Sequence, residues 1–96
     1  MNSQFLVDQT KIESAMISLP KWFLVGNKKI TREFGFENFD QAFHFVNKLS
    51  RLARLYNHHP DICIYFNKVE ITLCTHAIGG LSEADFVLAE EIDKLV

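Results

Sequence analysis

Residues 61–75, DICIYFNKVEITLCT, set the architecture of this chain. Two short runs, 61–66 and 69–75, are rich in β-branched and aromatic side chains and alternate between apolar and polar positions. Asn67-Lys68 lies between them. Two such runs joined by two residues predict a β-hairpin with a tight turn.

The position of the turn also predicts which residues face each other. On one face the predicted pairs are Ile64–Ile71 and Ile62–Leu73, and on the other they are Tyr65–Glu70, Cys63–Thr72 and Asp61–Cys74. The first face is wholly apolar, which supports this register because a one-residue slip would scatter the apolar side chains over both faces. Cys63 and Cys74 become diagonal neighbours about 7–8 Å apart, too far for a disulfide without backbone movement.

A long amphipathic helix precedes this hairpin. Apolar residues recur at a period of about 3.6 over residues 39–56, and Asn38 with Gln41 can cap the start. Its opposite side is polar and includes His44, which we expect to be solvated.

Two shorter helices are predicted near the ends of the chain. Residues 8–19 have helical spacing, with Thr10 and Glu13 as a possible capping box. The last helix begins after Ser82, with Asp85 completing the capping box.

A second hairpin completes the pattern. Residues 22–25 and 30–36 are strand-like, and the Gly-Asn-Lys-Lys segment at 26–29 separates them. The order α-β-β-α-β-β-α predicts an α+β two-layer sandwich, with a four-stranded antiparallel sheet and three helices on one face. We expect a single domain over residues 1–96, with a phenylalanine-rich core drawn from Phe34, Phe36, Phe39, Phe43 and Phe45.

Composition excludes several functional classes. The net charge is −2, so no basic surplus is present to neutralise nucleic-acid phosphates. No apolar stretch approaches the roughly 20 residues of a membrane span, and Met1–Val7 lacks the features of a signal peptide. Two cysteines without metal-binding spacing fit a reducing compartment, so we expect a cytoplasmic protein that binds neither nucleic acid nor membrane.

Three of the four histidines lie between residues 58 and 76. The predicted register, extended past Pro60, places His59 opposite His76, and His58 is adjacent. Imidazoles both donate and accept protons near neutral pH, so clustered histidines indicate acid/base chemistry. A single histidine at a strand end is more often a surface residue, but three brought together by an independent register favour a function.

A zinc site is another interpretation of the histidines that remains open. Three histidines and a water can hold a catalytic zinc ion, although adjacent His58 and His59 point in opposite directions along an extended chain.

Two nearby residues also have structural explanations. Asp85 is fully explained as a helix-capping residue. Trp22 is predicted to lie in the core or to border the pocket.

The run NHHPDICIYFNKVEITLCTHAIGGLSEADFVLAEEID, residues 57–93, closely resembles the signature of the pterin-4a-carbinolamine dehydratases. The His-His-Pro, the aromatic Phe66, the Thr-His pair and the Gly-Leu-Ser turn followed by Asp85 match that family's spacing. Residues 19–22, LPKW, and 34–39, FGFENF, also look like the family, so the resemblance covers nearly the whole chain.

The resemblance implies a hydro-lyase, a 4a-hydroxytetrahydrobiopterin dehydratase, that needs neither metal nor redox cofactor. It implies that His58 and His76 form the acid/base pair and that His59 holds the pterin. The remaining residues that it places at the substrate site are Trp22, Asp61, Thr75 and Asp85.

Three positions depart from the family pattern. Arg54 stands where an acidic residue is usual, Ala77 where an acidic or polar residue is common, and Ala84 where a basic residue is common. These changes affect the surroundings of the histidines, and we expect them to alter rate and pterin preference more than reaction type.

Some family members resemble dimerisation cofactors of transcription factors. The alternative to catalysis is therefore a non-catalytic binding module. A chain this short buries only about 60% of its unfolded surface, and we expect a homodimer or homotetramer.

Overall fold

Three helices cover one face of a four-stranded antiparallel sheet in the computed structural model, which describes residues 5–96. In chain order the elements are α1 (Gln9–Ile17), β1 (Phe23–Val25), β2 (Lys29–Gly35), α2 (Phe39–Tyr56), β3 (Asp61–Tyr65), β4 (Lys68–Leu73), a 3₁₀ turn (His76–Ile78) and α3 (Glu83–Asp93). The strands lie in the order β1-β2-β4-β3. The predicted fold class is confirmed.

The predicted register of the β3–β4 hairpin is wrong by two residues. Ile62 pairs with Ile71 and Ile64 with Val69, because the turn is formed by Phe66 and Asn67. Phe66 has a left-handed backbone, with φ of 43°, which turn rules assign to Asn or Gly and hardly ever to an aromatic residue. Since side chains alternate with a period of two, a shift of two leaves every side chain on its predicted face.

The corrected register also changes the partners on the uncovered face. Cys63 pairs with Glu70, and Asp61 pairs with Thr72. Both Cys63 and Cys74 are free thiols.

The predicted pairing of His59 with His76 is also wrong, because neither residue lies in a strand. Pro60 has no N–H to give to a ladder, and β3 begins only at Asp61. β4 ends at Leu73, after which Thr75 forms a single bridge with Gly80. His76 therefore begins a 3₁₀ turn outside the sheet.

Two of the three predicted helix caps are confirmed. Asn38 caps α2, accepting a hydrogen bond from the Gln41 N–H at 2.8 Å, and Ser82 with Asp85 forms the capping box of α3. The cap predicted for α1 is wrong: the Asp8 carboxylate accepts from the Lys11 N–H at 2.9 Å. Aspartate is the stronger capping residue, so the cap lies two residues before the predicted one and the helix begins at Gln9.

The core lies between the helices and the apolar face of the sheet. Its buried side chains include Ile30, Leu49, Ile71, Leu73, Leu88 and Ile92. Phe34 and Phe45 pack with ring centroids 4.8 Å apart. Phe39 and Phe43, predicted to be core residues, are instead 46% and 49% exposed and stack on each other at the start of α2.

The Asn38 cap gives a stability prediction of modest size. Asn38→Ala removes the only side-chain acceptor that the structure gives the Gln41 N–H, so the free energy of unfolding should fall by about 1 kcal/mol. Asn47→Ala, at an exposed position inside the same helix, is the control and should not be destabilising, because alanine has the higher helix propensity. Urea denaturation of both variants measures the difference, and equal stability would show that the cap is not stabilising.

Among residues 5–96, no helix is both long and apolar enough to span a membrane. The predicted lack of a targeting signal in Met1–Val7 concerns a stretch whose residues 1–4 lie outside the described residues.

Candidate functional site

The end of α2 places His58. Asn57 adopts a left-handed conformation, with φ of 51°, and caps the helix. The backbone N–H of His58 then donates to the Ala53 carbonyl at 3.0 Å, which turns the chain away from the helix axis. His58 is thus held by the helix terminus rather than by a free loop.

A buried carboxylate receives the His58 ring. Asp85 is 0% exposed, and its Oδ1 lies 2.5 Å from His58 Nε2. Its Oδ2 accepts from the Thr75 hydroxyl at 2.9 Å and from the Ser82 backbone N–H at 2.9 Å. The Ser82 hydroxyl lies 2.7 Å from the Thr75 hydroxyl and extends the network. Asp85 therefore has polar partners on both oxygens, as a buried charge requires.

This network determines which ring nitrogen of His58 can accept a proton. A carboxylate at Nε2 favours the tautomer with the proton on Nε2, which leaves the lone pair on Nδ1. Asp85 also stands in the first turn of α3, where the helix dipole favours negative charge. The arrangement can orient the imidazole and offset the positive charge that it gains on accepting a proton at Nδ1.

His76 has different surroundings. Its Nε2 lies 4.0 Å from Asp61 Oδ1, and the two side chains are 73% and 64% exposed. The Cys74 Sγ is 3.7 Å from His76 Nδ1 and 3.8 Å from Nε2. The second histidine is therefore open to solvent, with one acidic and one sulfur neighbour.

Cys74 lies beside His76 and directly precedes Thr75, whose hydroxyl donates to Asp85 in the His58 cluster. Partial burial raises the pKa of the Cys74 thiol, and the negative charges of Asp85 and Asp61 raise it further, while Lys29 acts in the opposite direction. One aspartate belongs to the His58 cluster and the other to the His76 cluster. The structure thus brings together His58, Thr75 and Asp85 in one cluster, and His76 and Asp61 in the next.

The remaining predicted site residues are placed differently. His59 is exposed beside His58. Trp22 is only 3% exposed, and its indole N–H donates to Asp93 Oδ1 at 2.9 Å. A side chain buried in this way presents almost no surface to a substrate, so the predicted role of Trp22 at the substrate site gains no support from its position.

Two further features were compared with the histidine clusters: groups of metal-binding side chains and a large groove. Across the part of the chain that the structure describes, no three His, Cys, Asp or Glu side chains are grouped as metal ligands, so the zinc interpretation gains no support. A groove of about 600 Å³ lies between α2 and the C-terminal residues, and His44 and Lys48 line it. None of His58, His59 and His76 lines this groove.

Sequence reasoning missed two side chains that the geometry adds. The sequence predicts only helix capping for Ser82. The contact of its hydroxyl with Thr75 depends on the bridge between Thr75 and Gly80, which no local pattern predicts. The sequence predicts that Cys74 lies on the uncovered face of the sheet. Its two-residue spacing from His76 is the signal that could have indicated their contact, because alternate residues of an extended chain lie on the same side.

The raised pKa of Cys74 predicts slow alkylation. Because burial and two carboxylates disfavour the thiolate, and the thiolate is the nucleophile, Cys74 should react with iodoacetamide more slowly than an unstructured cysteine peptide at pH 8. Its half-maximal rate should occur at a higher pH than that of the peptide. Mass spectrometry of a Cys63→Ala variant isolates the reaction at Cys74, and a rate equal to that of the peptide at every pH would contradict the prediction.

The sequence of this chain is similar to those of one known family of proteins. A sequence model of the family described as Pterin 4 alpha carbinolamine dehydratase matches residues 6–95. A relative from Rubrobacter xylanophilus is 45% identical over 85 residues, covering 88% of this chain and 79% of the relative. A relative from Picosynechococcus sp. is 48% identical over 86 residues, covering 90% and 92%. Both are named, provisionally, pterin-4-alpha-carbinolamine dehydratase.

Two solved structures are also similar. One is described as a transcriptional coactivator/pterin dehydratase from Brucella melitensis; it has a TM-score of 0.89 and 30% identity and covers 95% of this chain and 98% of its own. The other is a pterin dehydratase-like protein identified as a RuBisCO assembly factor in the alpha-carboxysome. It has a TM-score of 0.67 and 27% identity, covering 78% of this chain and 88% of its own.

Proposed function

The chain belongs to the pterin-4a-carbinolamine dehydratase family, and on that basis we propose that it removes water from 4a-hydroxy-tetrahydropterin to give quinonoid dihydropterin. The enzyme would act as a 4a-hydroxytetrahydrobiopterin dehydratase in the regeneration of tetrahydropterin.

The observation that carries this proposal is the hydrogen bond between His58 and the buried Asp85. A carboxylate with no exposed surface, held on its other oxygen by Thr75 and the Ser82 N–H, can serve as a fixed anchor for the ring. Helix capping alone accounts for the contact with Ser82 but not for the contact with His58. An anchored imidazole with a free Nδ1 suits general acid/base catalysis.

The other histidines complete the proposed site. His76, which is exposed near Asp61, supplies the second acid/base group, and His59 holds the pterin. Thr75 acts through Asp85, since its hydroxyl donates to that carboxylate. His59 and His76 are exposed to solvent, whereas the His58 side chain is 15% exposed, so the proposed substrate lies over the two exposed rings and reaches His58 at its exposed edge.

The reaction needs only proton transfers. One imidazole gives a proton to the 4a-hydroxyl, the C4a–O bond breaks, and water leaves. The other imidazole takes a proton from a pterin ring nitrogen, whose electron pair forms the new C=N bond. No electrons are gained or lost overall, so the elimination requires no oxidant or reductant.

A kinetic assay tests the proposal. Purified chain should accelerate the decay of freshly generated 4a-hydroxy-tetrahydropterin well above the buffer rate, in proportion to protein concentration. The same rate with the chain and with an equal mass of serum albumin would refute the proposal.

A binding module is the second candidate, and exposed apolar side chains favour it. Phe39, Phe43 and Leu55 are exposed along α2, and Phe23 and Phe66 are exposed at the sheet. Of the two similar structures, one is described as a transcriptional coactivator/pterin dehydratase and the other as a pterin dehydratase-like RuBisCO assembly factor. Capture of a stoichiometric partner protein by a chain that turns over no pterin would favour this candidate.

The same exposed side chains support association between copies of the chain. We expect a homodimer or homotetramer, because a small domain with apolar surface of this kind is stabilised by burying it. Light scattering at micromolar concentration should give at least twice the chain mass, and a monomer would contradict the expectation.

A further inference from the structure

The segment before α1 contacts the loop that leads into α3, and neither helix capping nor the acid/base assignments require this contact. The Val7 backbone N–H donates to the Leu81 carbonyl at 3.1 Å. We propose that Val7 is a positioning residue for the Asp85–His58 pair. It acts through the peptide group that joins Leu81 to Ser82. This inference rests on the proposed function, because the position of His58 affects a rate only if the chain transfers protons.

The peptide group between Leu81 and Ser82 is held at both of its ends. Its carbonyl accepts from the Val7 N–H, and its N–H donates to Asp85 Oδ2 at 2.9 Å. Because a peptide group is planar, these two bonds together fix its orientation. A hydrogen bond at the carbonyl also polarises the group and strengthens the donor at its N–H. Loss of the Val7 bond should therefore weaken the bond from Ser82 to Asp85.

Burial makes this peptide group dependent on partners within the protein. Leu81 is 1% exposed and Ser82 is 0% exposed. Water has little access to such a loop, so a carbonyl that loses its donor here is left without a replacement. The Val7 bond is therefore worth more than a similar bond at the surface.

The same loop is also bonded to Thr75. The Thr75 N–H donates to the Gly80 carbonyl at 2.8 Å, and the Gly80 N–H donates to the Thr75 carbonyl at 3.4 Å. The Thr75 hydroxyl in turn donates to Asp85 Oδ2 at 2.9 Å. Residues 80–82 are thus bonded to both Thr75 and Val7, and both contacts lead to the same carboxylate oxygen.

Leu6 adds packing to the hydrogen bond of its neighbour Val7. A Cβ at Gly80 would lie 2.7 Å from Leu6 Cδ2, so the Leu6 side chain lies directly against this glycine. Because Leu6 is 61% exposed, the packing is partial. The Val7 hydrogen bond is the directional contact between this segment and the loop.

The carboxylate of Asp85 transmits the effect to His58. Its two oxygens move as one rigid group, so a change at Oδ2 also moves Oδ1, which lies 2.5 Å from His58 Nε2. Short hydrogen bonds to a charged group weaken as their angle and distance change. Val7 can thus affect the orientation of the His58 ring without touching the substrate.

Amide hydrogen exchange and nitrogen-15 resonance of the free protein give the first test. Val7→Pro removes the N–H, whereas Val7→Ala keeps it and is the matched control. In Val7→Pro the Ser82 amide should exchange about three- to tenfold faster than in Val7→Ala, the change expected for the loss of one hydrogen bond. The ring nitrogen shifts of His58 should move from a single tautomer in Val7→Ala towards a mixture. Either an unchanged exchange rate or unchanged shifts would overturn the inference.

Proline also restricts the backbone, so a second variant removes the N–H alone. Replacing Val7 with 2-hydroxy-3-methylbutanoic acid puts an ester in place of the amide and keeps the isopropyl side chain. This ester variant should show the same faster exchange at Ser82 and the same mixture of His58 tautomers. Wild-type behaviour of the ester variant would overturn the inference even if Val7→Pro failed to fold.

Kinetics separate this inference from the proposed function. At a temperature where the variants are fully folded, kcat of Val7→Pro and of the ester variant should be about three- to tenfold below that of Val7→Ala, with KM unchanged. A merely structural role for Val7 would lower the melting temperature and leave kcat unchanged, and that result would also overturn the inference. If the wild type itself shows no dehydration, the proposed function fails, and the exchange rate and nitrogen shifts still decide whether Val7 positions Asp85 and His58.

Discussion

Replacing His76 with alanine should lower the rate of pterin dehydration by at least about 100-fold, because one of the two acid/base groups is lost. The side chain is 73% exposed, so the free energy of unfolding should change by no more than about 0.5 kcal/mol. Steady-state kinetics and urea denaturation of the same preparation measure both effects.

His44→Ala is the matched control for this substitution. His44 is also exposed, but it lies on α2 beside a groove that none of the three clustered histidines lines. We expect wild-type rates for His44→Ala. Equal rates for His76→Ala and His44→Ala would remove His76 from the mechanism.

Asp85→Asn should reduce both activity and stability. The amide keeps the shape of the carboxylate but has one acceptor oxygen where His58, Thr75 and the Ser82 N–H all donate. At least one buried donor then loses its partner, which should cost about 1–3 kcal/mol of unfolding free energy. We expect kcat to fall at least about 10- to 100-fold, the range found when a carboxylate that orients a metal-bound histidine is removed.

The comparison of kcat with stability decides between two roles for Asp85. If Asp85 only caps α3, the variant should be less stable but should keep wild-type kcat at a temperature where it is fully folded. Glu90→Gln, an exposed carboxylate on the same helix, controls for loss of charge and should change neither quantity. Wild-type kcat in folded Asp85→Asn would contradict the proposed anchoring of His58.

The sequence was sufficient for the fold because each element has a strong local signal. Each of these signals involves residues that are only a few positions apart in the sequence. They are the apolar face of α2, the caps at Asn38 and Ser82, and the alternation of apolar and polar residues in β3 and β4. The hairpin register failed because Phe66 takes a backbone conformation that its type rarely adopts. The faces were nevertheless correct, since the register error was an even number of residues.

The site was less predictable because its contacts join distant segments. Asp85 has a complete local explanation as a capping residue, and only the packing of α3 against the end of α2 brings it to His58. The pairing predicted for His59 and His76 failed for a local reason, since the strands end before reaching either residue. Trp22 and the Phe39–Phe43 pair show that aromatic residues alone do not predict which side chains are buried.

The proposed dehydration is tested most directly by the initial rate at which 4a-hydroxy-tetrahydropterin is lost. This rate is measured with the wild-type chain and with the chain that carries both His58→Ala and His76→Ala. We expect rapid, protein-dependent loss with the wild type and a rate close to that of buffer with the double variant. Equal rates for the two proteins would contradict the proposed dehydration by His58 and His76.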